Sequence, residues 1–229
     1  MADYASDSGR LLVVGDIHGC DLALETLLER LKLQTSDKFV VLGDAIDRGP
    51  DSRRVLDVVC EIEQRCQLVF ILGNHEEMLL DVLAGARPHF WLSHGGAATL
   101  ASYGGSVTQI PDQHLDMLSR TVSYWESSAT ICVHANLEPG VDLKEQRSEW
   151  LRWQALTGFE FPHESGKQVI CGHTGQPSGL PLIRDGWICL DTLAYTGGFL
   201  TCIDLASENL HQSKQSGEYR TFHLNDLRS

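Results

Sequence analysis

Hydrophobic positions along the chain fall into short blocks separated by polar turns that carry glycine. Leu11-Leu12-Val13-Val14, Phe39-Val40-Val41-Leu42 and Leu68-Val69-Phe70-Ile71-Leu72 are continuous apolar runs of strand length. Such runs mark strands buried on both faces. Between them the spacing changes. From Asp21 to Leu33 the apolar residues stand at Leu22, Leu24, Leu27, Leu28 and Leu31; after Pro50-Asp51-Ser52 they stand at Val55, Leu56, Val58, Val59 and Ile62. These are helical stripes with start signals in front of them. A third helical stretch, Glu77 to Leu83, follows the third run. The order β-α-β-α-β predicts a parallel sheet with helices packed on it.

The pattern breaks between about Ala84 and Trp125, where glycine and proline punctuate the chain. Short helices are predicted at 97–102 and 112–120. The segment reads as a cap-like insertion at about 84–125 within one domain spanning 1–229, the kind of insertion that selects substrates. Beyond it, strands are predicted at 130–134, 168–172, 187–191 and 199–205, with 141–157 helical or irregular. Residues 1–9 read as a lead-in, and the polar tail after Glu208 reads as the end of the fold. The expected fold is α/β, two mixed sheets between helices.

Chemistry collects where the apolar runs end. The first runs into Gly15-Asp16-Ile17-His18-Gly19, the second into Gly43-Asp44-Ala45-Ile46-Asp47-Arg48-Gly49, the third into Gly73-Asn74-His75-Glu76. Carboxylate, imidazole and amide oxygen together suit Mn, Fe or Zn in mixed nitrogen and oxygen coordination. An arginine beside them suits phosphate. Two later runs also end in histidine, Ile131-Cys132-Val133-His134 and Val169-Ile170-Cys171-Gly172-His173. One aspartate or histidine in a turn commonly caps a loop; six potential ligands after five apolar runs are a site.

The blocks GDIHG, GDAIDRG and GNHE, in that order, resemble the signature of the phosphoprotein phosphatase family of metallophosphoesterases. The two later histidine segments extend the resemblance from about Arg10 to Asp204, and Trp91-Leu92-Ser93-His94-Gly95-Gly96 is similar to a pattern of its bacterial-type members. The resemblance implies a calcineurin-like metallophosphoesterase fold and two divalent ions, Mn first, Fe or Zn as alternatives. It implies one ion on Asp16, His18 and Asp44, and a second on Asp44, Asn74, His134 and His173. Water activated between the ions would attack phosphorus in line, with no phosphoenzyme. Arg48 would hold the phosphate as a bidentate donor. A second arginine is implied before the last ligand strand; Arg152 is the choice, with Arg147 close by. His75 would protonate the leaving oxygen, oriented by Asp47. Glu76 would brace its loop, and Asp191 is a candidate partner for a metal-binding histidine. His94 lies near the presumed pocket, whereas His89, His114, His163, His211 and His223 are expected to face solvent.

Two substrates share these motifs. The first reading is a protein serine/threonine phosphatase, with phosphotyrosine as a further substrate. The alternative is a symmetrical bis(5'-nucleosyl)-tetraphosphatase that releases ADP from diadenosine tetraphosphate. A dinucleotide needs stacking aromatics and several cations. The insertion offers Trp91, Tyr103, Tyr124 and Trp125, but only Arg87 and Arg120 as cations, which leans toward a monoester. A catalytically silent binding module is disfavoured because every ligand position is filled.

Composition narrows the picture further. Of the 229 residues 42% are hydrophobic, enough for a sizeable core, and the net charge is −13. An acidic chain is not a general nucleic-acid binder. No apolar run approaches the roughly 18 residues of a membrane span, and Met1 to Gly9 does not read as a signal peptide. Seven cysteines, an odd number and four of them in strand-like runs, read as reduced core residues of a cytoplasmic protein.

Overall fold

The computed structural model describes residues 9–227. The lead-in expected at residues 1–9 lies, apart from Gly9, outside the described residues. Three parallel strands, β1 (Leu11–Val14), β2 (Lys38–Val41) and β3 (Gln67–Phe70), alternate with helices α1 (Asp21–Leu31) and α2 (Ser52–Arg65), and α3 (Asn74–Leu83) follows β3. α1 stops at Lys32, which turns left-handed and returns its N–H to Leu28. α2 starts on Asp51, whose side chain accepts the Arg54 N–H.

From 84 to 121 the chain forms one-turn and two-turn pieces: α4 (His89–Trp91), α5 (Ala97–Ser102) and α6 (Asp112–Ser119). A second sheet follows, built on β4 (Tyr124–Glu126), β5 (Thr130–Val133), β6 (Gln168–Cys171), β7 (Leu182–Arg184) and β8 (Trp187–Cys189), with the short helix α7 (Ser148–Arg152) between β5 and β6. The chain then returns to the first sheet through β9 (Leu200–Asp204), β10 (Asn209–Ser213) and β11 (Tyr219–His223). Spatial order is β11-β10-β9-β1-β2-β3 in one sheet and β4-β5-β6-β8-β7 in the other.

Side chains alternate across each strand, and this sorts the apolar residues into three layers. Leu12, Val14, Phe39 and Val41 pack outward from the first sheet against α1 and α2. Val13, Val40, Leu42, Cys132, Ile170, Ile188 and Ile203 meet between the sheets. Ile131, Val133, Val169, Cys171 and Cys189 pack outward from the second sheet with Leu151 of α7. Stacking brings the carboxyl ends of β1, β2 and β3 beside those of β5 and β6, so loops from both sheets meet at one edge.

Four expectations need correction. The tail after Glu208 does not end the fold: β10 and β11 extend the first sheet, with Leu210, Gln212 and Ser213 buried. Tyr124 and Trp125 belong to β4 of the second sheet, paired with β5, and not to the insertion. His114 is buried, its ring nitrogens bonded to the Tyr103 hydroxyl at 2.7 Å and the Asp57 carboxylate at 3.0 Å. α3 begins at Asn74 itself, so the third motif sits in a helix's first turn. All seven cysteines are free and buried. No helix among the described residues is long and apolar enough to cross a membrane.

Candidate metal centre

Strand-end turns deliver the motif side chains in strained backbone conformations. His18, Asp44, Asp47, Arg48 and His173 all have positive φ, between 47° and 72°. Non-glycine residues hold such values only where the surroundings over-determine them. Glu76 does much of that holding. Its buried carboxylate accepts the N–H groups of Gly73, Asp44, Ala45 and Ile46 at 2.8–3.3 Å, tying the second and third motif loops together. Burial, and Asp44 beside it, push the Glu76 carboxyl up to about 7.

Asp44 lies at the middle of two clusters. Ligand atoms of His18, Asp44 and His75 gather within 4.8 Å of one another, and so do those of Asp44, His134 and His173. One carboxylate common to both is the geometry of a bridge between two ions. His18 Nε2 is 3.5 Å from Asp44 Oδ2, and His134 Nε2 is 3.5 Å from Asp44 Oδ1. Asn74 Oδ1 stands 3.0 Å from His134 Nε2 and 3.1 Å from His173 Nδ1.

The donor set fits a cation for a reason internal to the structure. His18 Nδ1 donates to the Ile46 carbonyl at 2.9 Å, His134 Nδ1 to the Leu42 carbonyl at 2.8 Å, and His173 Nε2 to the Trp153 carbonyl at 3.1 Å. Each bond fixes a tautomer and turns the other nitrogen's lone pair inward. Burial keeps these rings neutral, lowering His18 to about 3 and His173 to about 4, and lowering His134 as well. Neutral nitrogens then face the Asn74 oxygen, acceptor against acceptor, which a positive ion between them resolves. Asp16 gains from one too. Burial first, then the neighbouring Asp191 and Asp44 charges, raise Asp16 well above the usual carboxylate range.

Asp16 itself is turned aside from the two clusters: both its oxygens accept the His173 backbone N–H at 3.1 Å. Asp191 makes no hydrogen bond or ion pair with a histidine among the described residues; its Oδ1 accepts the Leu193 N–H at 3.0 Å. It closes its own turn, and its charge faces Asp16 and Asp44.

His75 and Asp47 form a buried imidazole–carboxylate pair in the centre. Asp47 Oδ2 accepts from His75 Nδ1 at 2.7 Å, both side chains being fully buried. Burial works against a charged His75, but Asp44 and Asp47 outweigh it and raise its pKa above the ordinary imidazole value. Its Nε2 is buried 3.9 Å from Asp44 Oδ2 and has no hydrogen-bond partner among the described residues, so it is free to bond a bound molecule. Arg48 reaches over the Tyr195 ring, with Nη1 2.9 Å from His18 Nε2. Arg152 is 12% exposed, pairs with Glu77 at 2.8 Å and leaves its buried Nε without a partner. Arg147 is 61% exposed and pairs with Glu138, away from the centre. Burial pushes the thiol of Cys20, which follows the first motif, up to about 12, which works against a thiolate there.

Two contributors are not evident in the sequence pattern. Trp91 Nε1 donates to both Asp47 oxygens, at 3.1 and 2.9 Å, and the Thr99 hydroxyl donates to Asp47 Oδ1 at 2.6 Å. Asp47 thus accepts from His75, Trp91 and Thr99 at once. The paired glycines of the Trp91–Gly96 stretch serve the same end. A β-carbon on Gly96 would stand 2.4 Å from the Trp91 ring, and one on Gly95, whose φ is 117°, would stand 2.6 Å from Arg48 Cγ. His94 is exposed and lies on the Phe90 ring, centroids 4.2 Å apart; Phe90 in turn is 6.2 Å from Trp153. With Phe90 54% exposed, these rings form an aromatic rim.

Comparison with known proteins bears on the same residues. The sequence profile of the calcineurin-like phosphoesterase family matches residues 9–177. A symmetrical bis(5'-nucleosyl)-tetraphosphatase of Nitrosospira multiformis is 32% identical over 163 residues, 69% of this chain and 55% of that protein. Its Coxiella burnetii counterpart is 32% identical over 139 residues, 58% of this chain and 44% of that one. The chain therefore matches about half the length of these relatives. Serine/threonine-protein phosphatase 1 of Salmonella typhimurium is 41% identical over 85 residues, 37% of this chain and 38% of that one. Among solved structures, one titled a putative diadenosine tetraphosphatase superposes with a TM-score of 0.67 at 22% identity, covering 94% of this chain and 93% of the other. A serine/threonine phosphatase from Saccharomyces cerevisiae does so with 0.66 at 13% identity, covering 96% and 82%. At these identities the superpositions establish the shared fold.

Proposed function

The chain belongs to the calcineurin-like phosphoesterase family, and from that premise we propose that it is a two-metal phosphohydrolase acting on symmetrical dinucleoside tetraphosphates. The observation that carries the hydrolase reading is the shared Asp44 carboxylate between two inward-facing ligand clusters, with the Asp47–His75 pair beside it. His18 and Asp44 would hold one ion, joined by Asp16 once its carboxylate turns from the His173 N–H, and Asp44, Asn74, His134 and His173 would hold the other; Mn is the first choice, with Fe and Zn also suited to the donors. Ions bound there supply an activated water and neutralise charge on the phosphoryl oxygens. Arg48 and Arg152 clamp those oxygens, Arg152 exchanging part of its bond to Glu77 for the substrate. His75, held by Asp47, gives its Nε2 proton to the oxygen that leaves. The segment 84–121 is a cap that reaches this machinery through Trp91 and Thr99.

For the substrate, the relatives outweigh the composition argument. Tetraphosphatases match over 139 and 163 residues, the protein phosphatase over 85. The Phe90, His94 and Trp153 rim supplies flat faces for a base beside the phosphate site. A second reading, hydrolysis of phosphoserine, phosphothreonine or phosphotyrosine in proteins, draws on one feature. Arg120 is committed to Glu63 and Asp116, so the cap offers few cations for four phosphates. Unpaired buried cysteines go with a reducing, cytoplasmic setting.

The test is a matched set of initial rates with added Mn²⁺ on diadenosine tetraphosphate, a phosphoserine peptide and a phosphotyrosine peptide, with Asp44→Asn as the blank. Fast release of ADP with slow peptide turnover is expected. The reverse ranking establishes the protein-phosphatase reading instead.

A further inference from the structure

Behind the wall that carries Arg152 lies a second cavity of about 620 Å³, enclosed by the chain between Asn136 and Ser165. The two sites share α7 and the turn after it. Arg152 and the Trp153 carbonyl face the metal side, while Trp150 and Gln154 line the cavity. Its size is that of a ligand pocket, and its lining is unlike the metal centre's. Trp150, Phe159, Phe161 and Trp187 contribute aromatic surface, and four carboxylates, Glu138, Asp142, Glu160 and Glu164, line it with no lysine or arginine among them.

The loop that presents these groups is built, not loose. Trp187 Nε1 donates to the Phe161 carbonyl at 2.9 Å. Glu160 accepts the Thr157 hydroxyl and the Thr157 and Gly158 N–H groups, which closes the turn. Fixed in this way, Phe159 and Phe161 are each 84% exposed. Exposure of two phenyl rings on a pinned loop costs free energy that a monomer has no structural use for. Glu138 is taken by Arg147, but the Asp142 and Glu164 side chains make no hydrogen bond or ion pair among the described residues. Glu164 Oε1 lies 4.0 Å from where a β-carbon on Gly140 would stand, so an unpaired carboxylate sits beside the Gly140 turn at the cavity's lip.

We propose that this cavity is a docking site for a polypeptide segment in which lysine or arginine alternates with apolar residues. The apolar side chains would cover Phe159 and Phe161, and the cations would meet Asp142 and Glu164. Its carboxylates repel polyphosphate, so the site is separate from the one that binds the phosphoester, and it stands whichever ester the centre cleaves.

The experiment is fluorescence anisotropy with the full chain and a fluorescein-labelled hexapeptide alternating leucine and lysine. Saturable binding is expected, weakening as salt is raised. Phe159→Ser with Phe161→Ser should raise the Kd about tenfold, and Asp142→Asn with Glu164→Gln should raise it severalfold and flatten the salt dependence. Both variants should hydrolyse p-nitrophenyl phosphate at the wild-type rate, which shows that they are folded and keeps this test apart from that of the hydrolase reading. Four results overturn the proposal: no binding by the wild type; equal binding by the variants; equal binding of a serine–lysine peptide, which would be mere attraction to an acidic chain; or displacement of the peptide by adenosine, which would put a base in the cavity.

Discussion

Two stretches near the metal centre, Trp91 to Tyr103 and Phe159 to Phe161, use their aromatic residues in opposite ways. In 84–121, Trp91 and Tyr103 are 1% exposed and both spend their polar atoms inward, on Asp47 and His114. In 136–165, Phe159 and Phe161 are 84% exposed and have no polar atom to spend. A buried indole needs an acceptor, and a buried carboxylate such as Asp47 needs donors. Each meets the other's requirement, so the first segment is folded by the catalytic pair that it supports. The second sets Arg152 and the Trp153 carbonyl at the centre, but its far loop, which carries the two phenyl rings, is closed by its own Glu160 and by Trp187. Nearness to a site is therefore not membership of it; the partner of the buried polar atom decides.

Removing the metal should have the largest effect, because without a cation the Asn74 oxygen faces the neutral His134 and His173 nitrogens, acceptor against acceptor. Dialysis against a chelator should abolish hydrolysis, and returning Mn²⁺ should raise the melting temperature. At roughly hundredfold excess of free ion over its Kd the added stability is about 2.7 kcal/mol; an unchanged melting temperature would speak against the two ligand clusters. Next comes His75→Asn, with a fall in kcat of about 10² to 10⁴. The loss should be greater for a phosphoserine peptide, whose alkoxide is the more basic leaving group, than for a dinucleotide, whose leaving phosphate gains less from the proton. Equal losses would remove His75 from the role of proton donor.

Trp91→Phe keeps an aromatic ring but deletes the donor to Asp47, along with part of the buried indole's volume. We expect kcat to fall about tenfold with KM unchanged, the size of loss typical when a supporting hydrogen bond is removed. Thr99→Val should act in the same direction. A rise in KM with constant kcat would make the segment a substrate clamp and not a support for Asp47. Gly95→Ala drives a β-carbon toward Arg48 from a backbone angle that only glycine holds easily, and should raise KM for any phosphoester.

The centre was legible because its residues sit where periodicity is strongest. β1, β2, β5 and β6 are buried on both faces, and continuous apolar runs announce them. What escaped lies where pattern and burial part company. β10 reads Asn-Leu-His-Gln-Ser, and its Gln212 is buried because it donates to Thr201 and to the Gly179 carbonyl; nothing local signals that. β7 and β11 are edge strands with half-exposed side chains. His114 looked like a surface residue until Tyr103 and Asp57 came together around it. Trp91 stood out as an aromatic anchor, yet its role depends on Asp47, 44 residues earlier, a separation no local rule spans. Asp191 shows the converse: the right residue type at a strand end, turned to its own loop.

The smallest effect on catalysis should come from Phe159→Ser with Phe161→Ser, and its smallness is informative. Exposed substitutions with no lost hydrogen bond move stability by about 0.5 kcal/mol or less, and the Trp187 and Glu160 bonds that hold this loop go to backbone groups and to Thr157, not to the phenyl rings. The loop should therefore keep its shape, Arg152 should keep its place on Glu77, and kcat/KM for diadenosine tetraphosphate should change less than about twofold, a free-energy difference within that same range. A tenfold loss on the dinucleotide with p-nitrophenyl phosphate untouched would mean that a base lies on those rings. The two segments would then be halves of one substrate site, and the contrast between them would be one of reach and not of role.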